Sequence, residues 1–370
     1  MERDLGSRKV QRVGRGSYVI SLPKEWVQMM KIGRGDEIIF RVQDDGSTIL
    51  IPRKIFEGHG IKESKLREKW GYVKPEDNPA SLARKITSLY VVGADIVHLQ
   101  FKDKMCLQKH RSTINDLVKN ILLGAEIIDE SENEITIQIL INHLNLPVEM
   151  ALRRMAILAL AANKEVISAL KSEEEYFIKN ISDLYNDVNR LNLYVIRQLK
   201  YYLERGLFKD LGFKSIKEFL GYRIVANDIR NIVNNALHVS NNIALLKKLI
   251  KNKTLLLNET LDEELYTQII NFCSLMHQTF EASLRTLFKR DYDEADKILS
   301  KMEEYSSIER NITMMILAKK MDPNIALVLG LILDALRRII EYCRNIAEIT
   351  LNRTVEEVAL SYPRLNYERD

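Results

Sequence analysis

Two kinds of side chain in this sequence have the chemistry and the spacing to act on something else. Basic residues run through the first stretch, Arg8 to Lys54 (RKVQRVGRGSYVISLPKEWVQMMKIGRGDEIIFRVQDDGSTILIPRK), broken up by glycines and interleaved with apolar positions. Such a stretch offers cations to the phosphates of a nucleic acid. Carboxylates four apart, as at Asp183 and Asp187, lie on one face of a helix about one turn apart and can share a hard cation. A solvated or salt-bridged acidic helix face has the same spacing. His98 and His110 lie far apart with no second ligand at metal spacing, so both read as ordinary surface or core histidines. Cys106, Cys273 and Cys343 are odd in number and outside any CxxC pairing, which argues against a disulfide framework and a cysteine zinc site and fits buried small apolar residues. Neither a serine-histidine-acid order, an HExxH nor a nucleotide-binding glycine loop occurs, so the sequence does not read as an enzyme.

The totals locate the basic chemistry. The 370 residues, 46% apolar and 29% charged, are long enough for two or three ordinary globular domains with their own cores. The formal net charge is +4; residues 1–54 hold eleven Lys/Arg against seven Asp/Glu, and the remainder holds forty-four of each. All of the positive excess therefore lies in the opening stretch. The most apolar run, Ile325 to Leu336, contains Asp334 and is followed at once by Arg337 and Arg338, which fits a core helix better than a membrane span of about 20 residues. A cytoplasmic protein with no membrane span is expected.

The elements that must position these residues follow from periodicity and turn chemistry. Lys9 to Val13 and Tyr18 to Ser21 have strand character with Gly14 and Gly16 between them; Pro23 opens a short helix over Lys24 to Met30. Glu37 to Val42 and Thr48 to Ile51 read as strands joined at Asp45-Gly46. About fifty residues bury little apolar surface alone, which makes dimerisation through the strands the expected remedy. Residues 55–80 read as a linker. Ser88 to Phe101 reads as one or two strands, Lys104 to Leu123 as a helix ended by Gly124, and Glu134 to Ile141 as a strand, together a small β-α-β unit. From Pro147 to about Asn352 the period is helical, with six long helices expected near 147–170, 173–205, 213–252, 261–290, 292–320 and 324–352. Their halves align weakly: Asp183, Tyr185 and Arg190 on Glu303, Tyr305 and Arg310, and Asn242-Ile243-Ala244 on Asn345-Ile346-Ala347.

The run QRVGRGSYVISLPKEWVQMMKIGRGDEIIF resembles the SpoVT/AbrB-type swapped-hairpin domain, matching its pattern at Gly16, Ser21, Leu22, Pro23, Lys24, Gly33, Gly35, Asp36 and Ile38. The resemblance implies two chains interleaving their hairpins into one β-barrel that binds DNA, with Arg8, Lys9, Arg12, Arg15 and Lys24 as the DNA-binding residues. A basic face on a module that only dimerises is the alternative. The run RRIIEYCRNIAE resembles the third-helix signature of PhoU proteins, implying two tandem three-helix bundles that regulate phosphate uptake and commonly hold metal through acidic E/DxxxD motifs. Asp183 and Asp187 keep that motif; elsewhere Glu303 is followed by Ser307, Asn234 by His238 and Arg337 by Glu341, where the arginine could neutralise the site without metal. Asp183, Asp187, His238, Glu303 and Glu341 are thus the metal candidates, for a divalent or ferric ion.

The expected fold class is α+β multidomain: 1–55 the AbrB-type head, 56–80 linker, 81–146 the β-α-β unit, 147–255 and 256–356 the two PhoU-like three-helix repeats, and 357–370 a tail. The head with that body looks like archaeal phosphate-uptake regulators. The implied function is a homodimeric, double-stranded-DNA-binding transcriptional regulator of phosphate uptake. The alternative is a signalling adaptor that binds a phosphate-transporter ATPase or a kinase through its bundles, with the head serving only to dimerise and metal held in the body.

Overall fold

The computed structural model describes residues 5–14, 16–42, 46–53, 66–141, 146–172, 176–204, 216–257 and 263–361, in an α+β chain of two compact units, 1–66 and 67–370. The first unit contains two antiparallel hairpins. Strand β1 (Gln11–Val13) pairs with β2 (Ser17–Val19), placing Arg12 opposite Tyr18; β3 (Ile38–Val42) pairs with β4 (Thr48–Pro52), placing Phe40 opposite Leu50. Between the hairpins lies α1 (Lys24–Met29), opened by Pro23 at φ −60. The Gly-Arg-Gly-Asp turn that follows is closed by the Asp36 carboxylate, whose Oδ2 accepts from the Gly33 N–H at 2.8 Å, while Gly35 takes φ +92. A side chain that folds back on the preceding glycine is the physical reason for an acid at this spacing. Among the described residues the hairpins form two separate two-stranded sheets and close no barrel.

The second unit begins with a four-stranded sheet. Strands β5 (Glu68–Val73), β6 (Ile96–Phe101), β7 (Ala125–Glu130) and β8 (Glu134–Ile139) lie in the order β5-β6-β8-β7, with β5 parallel to β6 and the other pairs antiparallel. Helix α2 (Pro79–Val91), capped by Asn78, and α3 (Lys104–Asn120), capped by Asp103, join this sheet. Val73, Val97, Leu99, Phe101, Ile135 and Ile137 form a core with Leu82, Ile86 and Tyr90 of α2 and Leu107 and Ile114 of α3. Period-two alternation sends the intervening residues to the other face. Two sequence expectations fail here. Glu68–Val73 lies in the stretch expected as linker and is a strand; Ser88 to Phe101, expected as strand, is the end of α2, a turn at Gly93 with φ +91, and β6.

The helices that follow are α4 (Val148–Lys171), α5 (Tyr176–Glu204), α6 (Ile216–Leu257), α7 (Glu263–Lys289), α8 (Tyr292–Ser300), α9 (Met302–Ala318) and α10 (Pro323–Ser361). The long helix expected over 292–320 is two helices meeting at Lys301, and α10 runs into the stretch expected as a tail. The apolar stripes of α4, α5 and α6 and of α7, α9 and α10 merge into one continuous core. The aligned Ile243 and Ile346 are both buried in it. All three cysteines are buried free thiols. No helix among the described residues is long and apolar enough to cross a membrane.

Sheet and helices are joined by a buried guanidinium. Arg197 of α5, 2% exposed, donates through Nη1 to the carbonyls of Tyr90 at 2.8 Å and Ala94 at 2.6 Å, and through Nη2 to Asp95 Oδ1 at 2.8 Å. The other oxygen, Asp95 Oδ2, accepts from the Arg67 backbone N–H at 3.0 Å. Breaking a buried pair strands the remaining charge. Replacing Arg197 with leucine is expected to destabilise the second unit by about 3 kcal/mol in urea unfolding; a loss below about 1 kcal/mol, the size of an exposed pair, would remove its role as the joint.

Candidate nucleic-acid interface and the helical body

The head offers basic side chains on a surface beneath which its described residues form no core cluster. Arg8, Lys9, Arg12 and Lys24 are exposed, and no salt bridge to Arg8, Lys9 or Lys24 forms among the described residues. Arg12 projects from β1, and Lys24 is the first residue of α1. Arg8 and Lys24 line one cleft of ≈ 490 Å³ together with Leu5, Ser21, Leu22, Pro23 and Glu25. The LPK segment thus forms a wall of this cleft and also starts the helix. Arg15 lies outside the described residues. Arg53 is paired with Glu37 across the β3–β4 base.

The same unit exposes its apolar side chains. Pro52 is the one buried residue among those described, and no core cluster includes a residue of this unit. Tyr18 is 72%, Phe40 65% and Val42 66% exposed. Alternating strands with both faces open leave apolar surface that isolated hairpins cannot bury.

The metal candidates are not brought together. Asp183 and Asp187 sit exposed one turn apart on α5, His238 is exposed on α6, Glu303 on α9 and Glu341 on α10. Among the described residues no three His, Cys, Asp or Glu side chains converge to hold a metal ion. Glu341 is bonded to Arg337, whose Nη2 also binds Asp334 at 2.7 Å, and Ser307 donates to the Glu303 carbonyl at 2.9 Å. Cation and hydroxyl thus occupy the positions where carboxylates would complete a cluster. At the hollow of ≈ 390 Å³ by the α7–α8 turn, Arg290 on the wall is held by Glu218 at 3.2 Å and Glu357 at 2.8 Å, and Lys289 also lines the space.

One group that sequence reasoning missed lies deep in the body. Asp228 of α6 is 3% exposed, and burial pushes its carboxyl up to about 7 against a smaller opposing hydrogen bond from Asn345 of α10. Its Oδ2 meets no hydrogen-bond partner among the described residues. Nearby, on α10, Cys343 is fully buried, and burial raises that thiol above its ordinary range. The clue was positional: in IVANDIRNIV, Asp228 lies three residues from Val225 and four from Ile232, within the buried stripe.

Residues 11–57 match the family model described as antidote-toxin recognition MazE, bacterial antitoxin. The match overlies the stretch that carries the swapped-hairpin pattern. Among solved structures the chain is similar to PhoU from Pseudomonas aeruginosa, with 16% identity over 56% of this chain and 96% of that one and a TM-score of 0.49. It is also similar to the phosphate transport system regulatory protein PhoU from Streptococcus pneumoniae, with 16% identity over 58% of this chain and 96% of that one and a TM-score of 0.44. No curated protein matches the chain.

Two outcomes follow from the body. EDTA treatment is expected to leave its thermal midpoint unchanged; a fall of more than about 3 °C, roughly 1 kcal/mol for this size, would show a bound ion that the donor geometry does not provide. Asp228, with its folded value raised, contributes stability that is fully present below about pH 4 and is lost as pH rises through about 7. Asp228→Asn removes that loss. Between pH 5 and pH 8 its stability should therefore fall less than that of the parent chain, by on the order of 3 kcal/mol; identical pH profiles would refute the assignment.

Proposed function

We propose that the chain is a dimeric DNA-binding regulator of phosphate uptake, in which the basic head grips duplex DNA and the helical body receives the phosphate signal or its protein carrier. The observation that carries the first part is the head itself: exposed Arg8, Lys9, Arg12 and Lys24 on a module whose described residues form no core cluster. Pairing two such modules would bury the open strand faces and double the cationic surface offered to phosphates. The LPK…GD pattern and the family match over residues 11–57 support a recognition role for this stretch. The phosphate assignment rests on the resemblance of RRIIEYCRNIAE to the PhoU signature. Arg15, by its place between Gly14 and Gly16, belongs to the proposed DNA-binding set.

The matched family's description favours a second reading in which the head recognises a protein. Salt dependence separates the two. The full chain is expected to bind promoter DNA of phosphate-transport genes with log affinity falling linearly in log salt. Arg8→Ala with Arg12→Ala should flatten that slope by about 0.9 for each phosphate no longer neutralised. An unchanged slope and affinity in the double variant would reject the DNA reading. Recovery of a protein partner that depends on residues 1–55 would then favour the second.

A further inference from the structure

The edge strand of the second unit carries a pattern that complements itself. Strand β5 lies at the rim of the sheet and pairs, among the described residues, with β6 alone. Its outer backbone groups therefore face away from the ladder. The residues on the face opposite α2 and α3 are Glu68, Trp70 and Tyr72, followed by Lys74 just past the strand. Trp70 is 61% and Tyr72 53% exposed. An open edge bearing two large aromatics is a template for pairing with another chain, and soluble proteins do not leave such edges bare.

We propose that β5 pairs antiparallel with β5 of a second copy of this chain, across a two-fold axis at Gly71, joining two four-stranded sheets into one. Directly opposed residues in an antiparallel pair share a face. In this register Trp70 meets Tyr72 of the other copy, Tyr72 meets its Trp70, Glu68 meets its Lys74 and Lys74 meets its Glu68. Every residue on the open face thus gains an aromatic or opposite-charge partner, and the two-fold makes each contact twice. Shifting the axis by one position along the same face would set Trp70 against itself and Glu68 against Tyr72, leaving both charges unmatched. Gly71 at the axis belongs to the helix-covered face, where Leu99 Cδ2 stands 3.3 Å from where a Cβ would be, so it adds nothing to the open face. Trp70 is held for this contact by stacking on His98, with ring centroids 3.9 Å apart and planes at 12°. Because the head and β5 belong to one chain, two chains joined at their heads would bring two β5 strands to high effective concentration. That concentration effect, but not the register, rests on the dimeric head proposed above.

The test uses the full chain labelled with fluorotryptophan, whose Trp70 signal is assigned by Trp70→Phe, with solvent exposure read from the fluorine solvent-isotope shift and mass from sedimentation. The expected result is a dimer with Trp70 shielded. Glu68→Lys alone and Lys74→Glu alone each oppose like charges twice, weakening strand pairing roughly tenfold and exposing Trp70. Glu68→Lys with Lys74→Glu should shield it again. A dimer in which Trp70 is exposed would overturn strand pairing and leave the dimeric head standing. Shielding that ignores both single exchanges would also overturn it. A monomer overturns both. Loss of the dimer itself in the single exchanges would support strand pairing and reject a head that dimerises alone.

Discussion

The second unit depends on one buried charge whose two terminal nitrogens are answered, while its Nε meets no hydrogen-bond partner among the described residues. A guanidinium taken out of water costs several kcal/mol unless its donors are met, and Arg197 meets two carbonyls and a carboxylate, with the Tyr90 ring 5.1 Å away. Its partners come from the end of α2 and the turn before β6, so the charge is satisfied in one placement of the sheet on α5. An apolar contact would have tolerated sliding, whereas this one does not. Asp95 divides its oxygens between Arg197 and the backbone of Arg67. Arg67 also reaches Glu204 near the end of α5, at 2.7 Å. The residue at which the second unit starts is therefore fastened to the helical body.

The two units solve the burial problem in opposite ways. The body merges its helices into a single core, where each fully buried Val, Leu or Ile contributes roughly 1.5–3 kcal/mol. The head buries Pro52 and little else among its described residues, and in the dimer proposed above a second copy would supply the rest. Folding of the head would then depend on protein concentration, and folding of the body would not.

How much of this was readable from the sequence depends on whether the controlling interaction was local. Glycine turns, the Pro23 helix start and the Asp36 turn are local, and the hairpins fell where their residues indicated. The helices of the body were legible because a 3.6-residue stripe repeats many times over. The run LYVVGADIVHLQF misled because a helix end buried on one side and a strand buried on one side read as one continuous apolar stretch, divided only by the positive φ of Gly93. EKWGYV looked like linker because its inward positions are a glycine and a valine while its bulky residues face out. No glycine or proline marks the break at Lys301. A ligand set is hard to read for a related reason: spacing places Asp183 and Asp187 on one face of α5 but does not say what stands opposite.

Asp228 shows why a buried carboxyl can persist in such a core. It lies on α6, the longest helix among the described residues, against Asn345 of α10, so it meets a helix of the other three-helix set. An apolar residue there would pack in several registers, whereas a carboxyl that finds Asn345 favours one. The cost falls on the ionised form, because one oxygen has no partner among the described residues. At neutral pH the group sits near its own midpoint, so the contact between the two sets is held by a proton as well as by apolar packing. Arg197 fixes sheet to helix through a permanent charge, and Asp228 holds helix to helix through a titratable one. Of the two contacts, only the one inside the bundle responds to solution conditions in the physiological range.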